Sequence, residues 1–363
     1  MKINTLQLLY GIVITLLFAT CVRETDFKSD EIGKSDLVIS GGFYNGAGPF
    51  RLRLMHPTNY DKRDFEPVTG ATITLSDDDG HQYVYSESDP VNQKGLYLLT
   101  GAVGVPGRTY TLEIQLSDGK KYRSRPQKMP EPLPVDAAEM RFAFVEDINA
   151  QGAIVKIPFA QVYAHVTIPT QAAERYFRWE CESTFIFNEF DTGSPFDPPK
   201  QCFISNYVSN QVVSIDNPAD FLPGTPLVVY TGRRAIDFAF DLRNCFSVYQ
   251  RTIGKDAYLY WKRVQQVVEP TGTIFDLPPA FIPGNLENVD NPERPAYGFF
   301  EVGASDTTRV FANRGDLPSD VVAFIPKHCS GSQPCNPNNN PRRPECCECL
   351  LLPNSTLQKP EWW

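Results

Sequence analysis

The chain has 363 residues, 42% hydrophobic and 21% charged, a composition that excludes a disordered polymer and leaves room for two domains with separate cores. Its formal net charge of −9 excludes nucleic acid as a partner and disfavours anionic lipid surfaces, since neutralising phosphate takes clustered lysine and arginine. The 31 prolines, 24 glycines, 24 phenylalanines and 16 tyrosines suit short strands joined by many turns.

Residues 6–21 set the location. Lys2 gives a short basic start, residues 6–18 an apolar run, and Ala19-Thr20 small residues before Cys21. The run is shorter than the roughly 20 residues of a membrane-spanning helix and matches the apolar region and cleavage site of a secretion signal. A cysteine at that point resembles the lipobox of bacterial lipoproteins, where the thiol is acylated. Here Phe18 stands where leucine is usual and Thr20 where Gly, Ala or Ser is usual. An ordinary signal peptide with an incidental cysteine is the alternative. Residues 22–35, of mixed charge and few apolar side chains, read as a tether between that anchor and the folded body.

From residue 36 to 125 the pattern has period two, as in Ala71-Thr72-Ile73-Thr74-Leu75 and Tyr110-Thr111-Leu112-Glu113-Ile114, so each strand buries one face and wets the other. Seven strands are expected, at 37–43, 50–55, 71–75, 82–86, 96–100, 110–116 and 121–124. Asp78-Asp79-Gly80 and Ser117-Asp118-Gly119 supply hairpin turns, and the first lacks the ligand spacing of a calcium loop. The expected unit is an immunoglobulin- or transthyretin-like antiparallel sandwich.

Residues 126–134 hold four prolines in nine positions and read as a stiff, exposed linker. A second domain, 135–325, follows, also mainly β. Its strands are expected at 140–144, 153–159, 162–168, 176–187, 202–206, 211–215, 227–230, 235–240 and 246–252, with an irregular excursion at 193–200 suited to a binding surface. One helix interrupts it at 256–268. There Tyr258, Trp261, Val264 and Val268 recur on one face and Asp256 favours the start. Trp261 packs over the sheet in the plainer reading and forms an aromatic ligand platform in the sharper one.

Residues 326–363 form a cysteine-rich tail. With Cys21 set aside for lipid, the nine cysteines leave eight: Cys181, Cys202 and Cys245 in the second domain, and Cys329, Cys335, Cys346, Cys347 and Cys349 in the tail. In an exported protein they read as disulfides, and no metal is expected because the spacing lacks two answering C-x₂₋₄-C pairs. Both groups are odd in number, so full oxidation requires a bridge from tail to domain. The expected pairing is Cys181 with Cys245, on segments that can be neighbours, leaving Cys202 for the tail.

No G-x-S-x-G, H-E-x-x-H or Walker loop is present, the four histidines are scattered, and no catalytic residue or cofactor is expected. Acid pairs such as Glu180 and Glu182, which share one strand face, have the two carboxylates that glycosidase chemistry needs. Their plainer role is a wet face. Two tethered β-domains rich in aromatics also suit capture of a glycan or peptide.

Several segments together resemble a known family. Residues 257–261 (AYLYW), 272–276 (GTIFD) with Pro278, 284–288 (GNLEN) and 297–300 (YGFF) are similar to the Bacteroidota lipoproteins of domain of unknown function 4249. So are residues 70–75 before an Asp-Gly turn, 95–97, 107–114 and 122–124, and the Cys346-Cys347-Glu348-Cys349 cluster before the closing Trp362-Trp363. The resemblance implies an outer-membrane lipoprotein of the kind encoded beside TonB-dependent receptors, and the expected role is partner of such a receptor. Apart from the resemblance, Trp261, Trp362 and Trp363 are the candidate binding or interface residues and Cys21 the acylated one.

Overall fold

Alternating apolar and polar residues, with glycine at the corners, direct most of this chain into strands. A computed structural model describes residues 37–57, 66–91, 93–149, 151–170, 176–190, 198–208, 215–268, 282, 284–322 and 344–363. The leader, the tether, residues 272–278, most of the 193–200 excursion, Cys329 and Cys335 lie outside them.

The first part contains β1 (Val38–Phe43), β2 (Phe50–His56), β3 (Glu66–Pro67), β4 (Thr72–Asp77), β5 (Gln82–Glu87), β6 (Leu96–Leu99), β7 (Thr109–Gln115), β8 (Lys121–Ser124) and β9 (Gln127–Lys128). All seven expected strands are there. β5–β4–β7–β8 form one antiparallel layer and β1–β2–β6 another, joined where β5 pairs with β6. The alternate residues Ile73, Leu75, Leu112 and Ile114 of one layer and Ile39, Leu52 and Leu54 of the other share a core. The acidic turn after β4 is a plain hairpin. Asp77 accepts from the backbone N–H of Asp79 and His81 and from Arg108 Nη1 at 2.9 Å, which occupies its carboxylate.

The second part contains β10 (Ala137–Ile148), β11 (Ile154–Thr167), β12 (Tyr176–Asn188), β13 (Gln201–Tyr207), β14 (Ile215–Asp216), β15 (Pro226–Ala235), β16 (Arg243–Ile253), helix α1 (Lys255–Val268), β17 (Leu286–Asn288), β18 (Tyr297–Asn313) and β19 (Ser355–Thr356). The three-stranded sheet β10–β11–β15 covers β13–β12–β16–β18, and the inward residues of both bury a second core around Phe177, Trp179, Phe246 and Val248. The segments expected as two strands at 153–159 and 162–168 are one, because Ala160, Val162, Ala164 and Val166 keep the buried phase without a break. Residues 235–240 are not a strand: Asp237 accepts from Ala239 N–H at 2.9 Å and caps a 3₁₀ turn at Phe238–Phe240.

The largest departure from the sequence partition concerns β17 and β18. β17 pairs with β8, and the first six residues of β18 pair in parallel with β1, so Leu286, Ala296, Phe300 and Val302 belong to the first core. The remaining residues of β18 pair with β16 in the second. One strand therefore runs through both cores. Its pattern hid it, since residues 299–304 are all buried and show no polar alternation. Gly298, at φ +80°, permits this approach, because a Cβ there would collide with the Ile39 carbonyl oxygen.

The proline-rich residues 126–134 are extended and five of the nine are exposed, as expected, but the stretch is also pinned to both cores. β9 pairs with β7, Gln127 Nε2 donates to Phe300 O at 2.8 Å, Met129 is fully buried, and Gln250 Nε2 donates to Leu133 O at 2.9 Å.

Candidate functional site

The strand period divides β12 and β16 into two faces. Phe177, Trp179 and Cys181 point into the second core, whereas Arg178, Glu180, Glu182 and Thr184 point to the opposite, outer face. Across the ladder, β16 sets Arg251 opposite Arg178, Tyr249 opposite Glu180, Ser247 opposite Glu182 and Cys245 opposite Thr184. Two arginines facing each other repel, so the arrangement requires carboxylates between and around them.

Glu180 and Glu301 meet that requirement. Arg178 Nη1 donates to Glu180 Oε1 at 2.8 Å, and Arg251 donates from Nε and Nη2 to Glu180 Oε2 at 3.2 Å each. Arg178 also donates from Nε (3.0 Å) and Nη2 (2.8 Å) to the two oxygens of Glu301, a bidentate fork. Glu301, on β18, further accepts from Tyr44 Oη at 2.8 Å and from Trp261 Nε1 at 2.7 Å. Aromatic rings roof the cations: Arg178 lies 4.7 Å from the Trp261 ring centroid and Arg251 3.9 Å from that of Tyr44. Two positive and two negative groups thus balance at the place where the first core, the second core and α1 meet.

Electrostatics follows from this packing. Burial alone would raise the Glu180 carboxyl, but Arg178 and then Arg251 outweigh it and hold the pKa down to about 2. Burial, then the Glu301 charge, holds the Tyr44 phenol well above its ordinary value. Glu182, on the same face as Glu180, accepts from Tyr249 Oη at 3.0 Å. The cluster holds charge in fixed places; among its members, Glu180 is an ionised acceptor and not a proton donor at neutral pH.

Trp261 packs as the plainer expectation had it, on the charged seam and beside Tyr260 at a centroid distance of 5.4 Å. Of the expected apolar face of α1, Val268 is 51% exposed, while Ala257 is buried and Tyr258 stacks on Tyr176 at 4.4 Å. Trp362 and Trp363 lie farther along the outer face. Trp363 meets Phe203 at 5.4 Å and Phe311 at 5.8 Å, and Trp362 lies 5.8 Å from Trp363. Three devices bring them there. Cys202 is bonded to Cys349, β19 pairs with β13, and Cys349 N–H donates to Glu189 Oε1 at 2.8 Å.

The tail-to-domain bridge thus uses Cys202, as expected, but the Cys181–Cys245 bridge is not formed. Both thiols are free and buried. The register explains it: Cys181 sits opposite Val248, and Cys245, three residues away along β16, projects to the other face of the sheet. Cys346 and Cys347 are each disulfide-bonded, to partners outside the described residues.

Sequence reading missed Tyr44, Arg178, Arg251 and Glu301. Glu301 is 257 positions from Tyr44 and 123 from Arg178, and only the alternation of charged with aromatic residues at 178–180 hinted that the outer face of β12 is not simply wet. No group of three or more metal-ligating side chains occurs among the described residues.

No curated protein matches the chain. A family model described as domain of unknown function (DUF4249) matches residues 22–309, beginning at the residue after Cys21 and ending within β18. The chain belongs to that family.

Proposed function

We propose that this protein is an outer-membrane lipoprotein, acylated at Cys21, that acts as a non-catalytic accessory partner of a TonB-dependent receptor in nutrient uptake. The leader ending in Cys21 supports the anchor, and the family match that begins directly after it supports a mature chain starting there.

One structural observation carries the partner reading. β11 pairs with β15 only from Phe159 onward, whereas its pairing with β10 extends on to Ile148 and Ile154. The hairpin therefore projects as a two-stranded arm past the sheet, and its tip shows Phe144 at 44%, Ile148 at 69% and Ile154 at 71% exposure. Apolar side chains gathered at the end of an arm favour a protein contact over solvent.

Cross-linking in intact cells, followed by purification through a tag on this protein, tests the reading. The expected result is a TonB-dependent receptor in the cross-linked product, lost in a Phe144→Ser/Ile148→Ser/Ile154→Ser variant that still reaches the membrane. A protein recovered alone from membranes, or recovered only in soluble form, overturns it.

A further inference from the structure

The part of the outer face that carries the tryptophan pair holds a second cluster, unlike the balanced seam. Arg243 on β16 and Arg309 on β18 are half-buried there. The guanidinium of Arg243 lies 4.0 Å from the Phe311 ring centroid and 5.6 Å from that of Trp363, and the guanidinium of Arg309 lies 4.4 Å from that of Trp362. The aromatic stacks fix both planar groups in place.

Neither arginine forms an ion pair among the described residues. Three other half-buried or buried arginines of the second part do: Arg178 with Glu180 and Glu301, Arg251 with Glu180, and Arg234 with Asp237. The difference is not a shortage of acids, since the chain carries 43 acidic against 34 basic residues. The carboxylate of the neighbouring strand, Glu182, accepts from Tyr249 Oη instead.

The Nε of Arg243, the Nε of Arg309 and the hydroxyl of Ser247 are all shielded from solvent with no hydrogen-bond partner among the described residues. Ser247 sits directly across the ladder from Arg309, and Arg243 lies on the same strand face as Ser247. Cys245 lies between Arg243 and Ser247 on that strand face, opposite Phe311 of β18. Three donors without partners among the described residues, two of them cationic, thus share this face, and the two cationic ones lie against the tryptophan pair.

We propose that Arg243, Arg309 and Ser247, roofed by Trp362 and Trp363, form a binding site for an oxyanion group, a carboxylate or phosphate carried by a small solute. A guanidinium stacked on a ring keeps its in-plane N–H edge free for two parallel bonds to such a group, and Ser247 Oγ adds a third donor. The site is separate from the hairpin arm, so its loss does not bear on the receptor partnership.

Titration of the detergent-solubilised full-length protein with glucuronate, inorganic phosphate and glucose at constant ionic strength tests this, read by calorimetry and by tryptophan emission. The expected result is saturable binding of glucuronate or phosphate that perturbs the emission, and none of glucose. Glucuronate without phosphate identifies a carboxylate site, phosphate without glucuronate a phosphate site. Arg309→Gln and Arg243→Gln each weaken binding at least tenfold, and Arg309→Lys, which keeps the charge but loses the fork, does so too. Arg51→Gln, at an exposed arginine of β2, leaves binding unchanged. Absence of saturable binding of both anions, or binding that survives Arg309→Lys and Arg243→Gln in variants with native circular dichroism, overturns the proposal.

Discussion

Arg178 on β12 holds Glu301 on β18 through a two-bond fork of 3.0 and 2.8 Å, and with it joins the strand that runs through both cores to the centre of the second sheet. Both side chains are almost fully shielded, at 7% and 3% exposure. Removing either partner strands a buried charge, which costs about 3–5 kcal/mol. Arg178→Ala or Glu301→Ala is expected to lower the unfolding free energy by that amount in urea titrations, with both cores melting in one transition because β18 contributes to each. Two separated transitions in the variant would show that the seam does not couple them.

The pH dependence follows from Glu180. Its folded pKa of about 2 lies below the ordinary 4.5, so the stabilisation it brings is fully present above pH 4.5 and is lost as pH falls toward 2. Melting temperature is expected to decline across that window in the wild type. In Glu180→Gln the decline is shallower, and the starting value at neutral pH is lower.

The two free thiols give a direct chemical readout. Burial pushes the Cys245 thiol up to about 11, partly offset by Arg309, and burial pushes Cys181 higher still. Thiolate is the reactive form, so both are expected to resist alkylation in the folded protein and to react at once in denaturant without reductant. Peptide mapping should then find label on Cys181 and Cys245 and none on Cys202 or Cys349.

The same pair shows what a sequence can and cannot disclose. The two strands were legible because Trp179 and Phe246 sit in segments rich in aromatic and alternating apolar residues, but their register was not. A shift of one residue exchanges the faces of a strand, and nothing local to Cys181 or Cys245 states which residue lies opposite. Period two was enough for the first sandwich, where each strand has one wet face. It failed for β18, whose residues 299–304 are covered on all sides, and for the Tyr44–Arg178–Glu301 cluster, whose partners meet only after the chain has closed.

Limited proteolysis examines the pinned linker. Residues 126–134 carry buried Met129 and Leu133, a strand pairing to β7 and hydrogen bonds to Phe300 and Gln250. Cleavage requires local unfolding of a backbone held at all these points. A broad-specificity protease is expected to spare this stretch in its first cuts. An early nick there, with two stable fragments, would mean that the contacts are weaker than their geometry implies.

The last prediction concerns the tail. The Cys202–Cys349 bond closes a span of 147 residues, which on the chain-entropy model corresponds to about 5 kcal/mol. That figure is an upper value, because unfolded chains are already restricted and other contacts hold the same segment: Phe203 pairs with Thr356, Ile204 with Ser355, and Lys200 Nζ donates to Glu348 at 2.7 Å. Cys349→Ser is therefore expected to cost about 2–4 kcal/mol rather than to unfold the protein. The tryptophan pair should respond more than the core does. Trp363 is seated by ring contacts with Phe203 and Phe311 and by the Arg243 guanidinium, so a loosened tail exposes it and shifts its emission to the red. Unchanged emission together with unchanged stability would mean that β19 and the Glu189 contact are sufficient to seat the tail without the bridge.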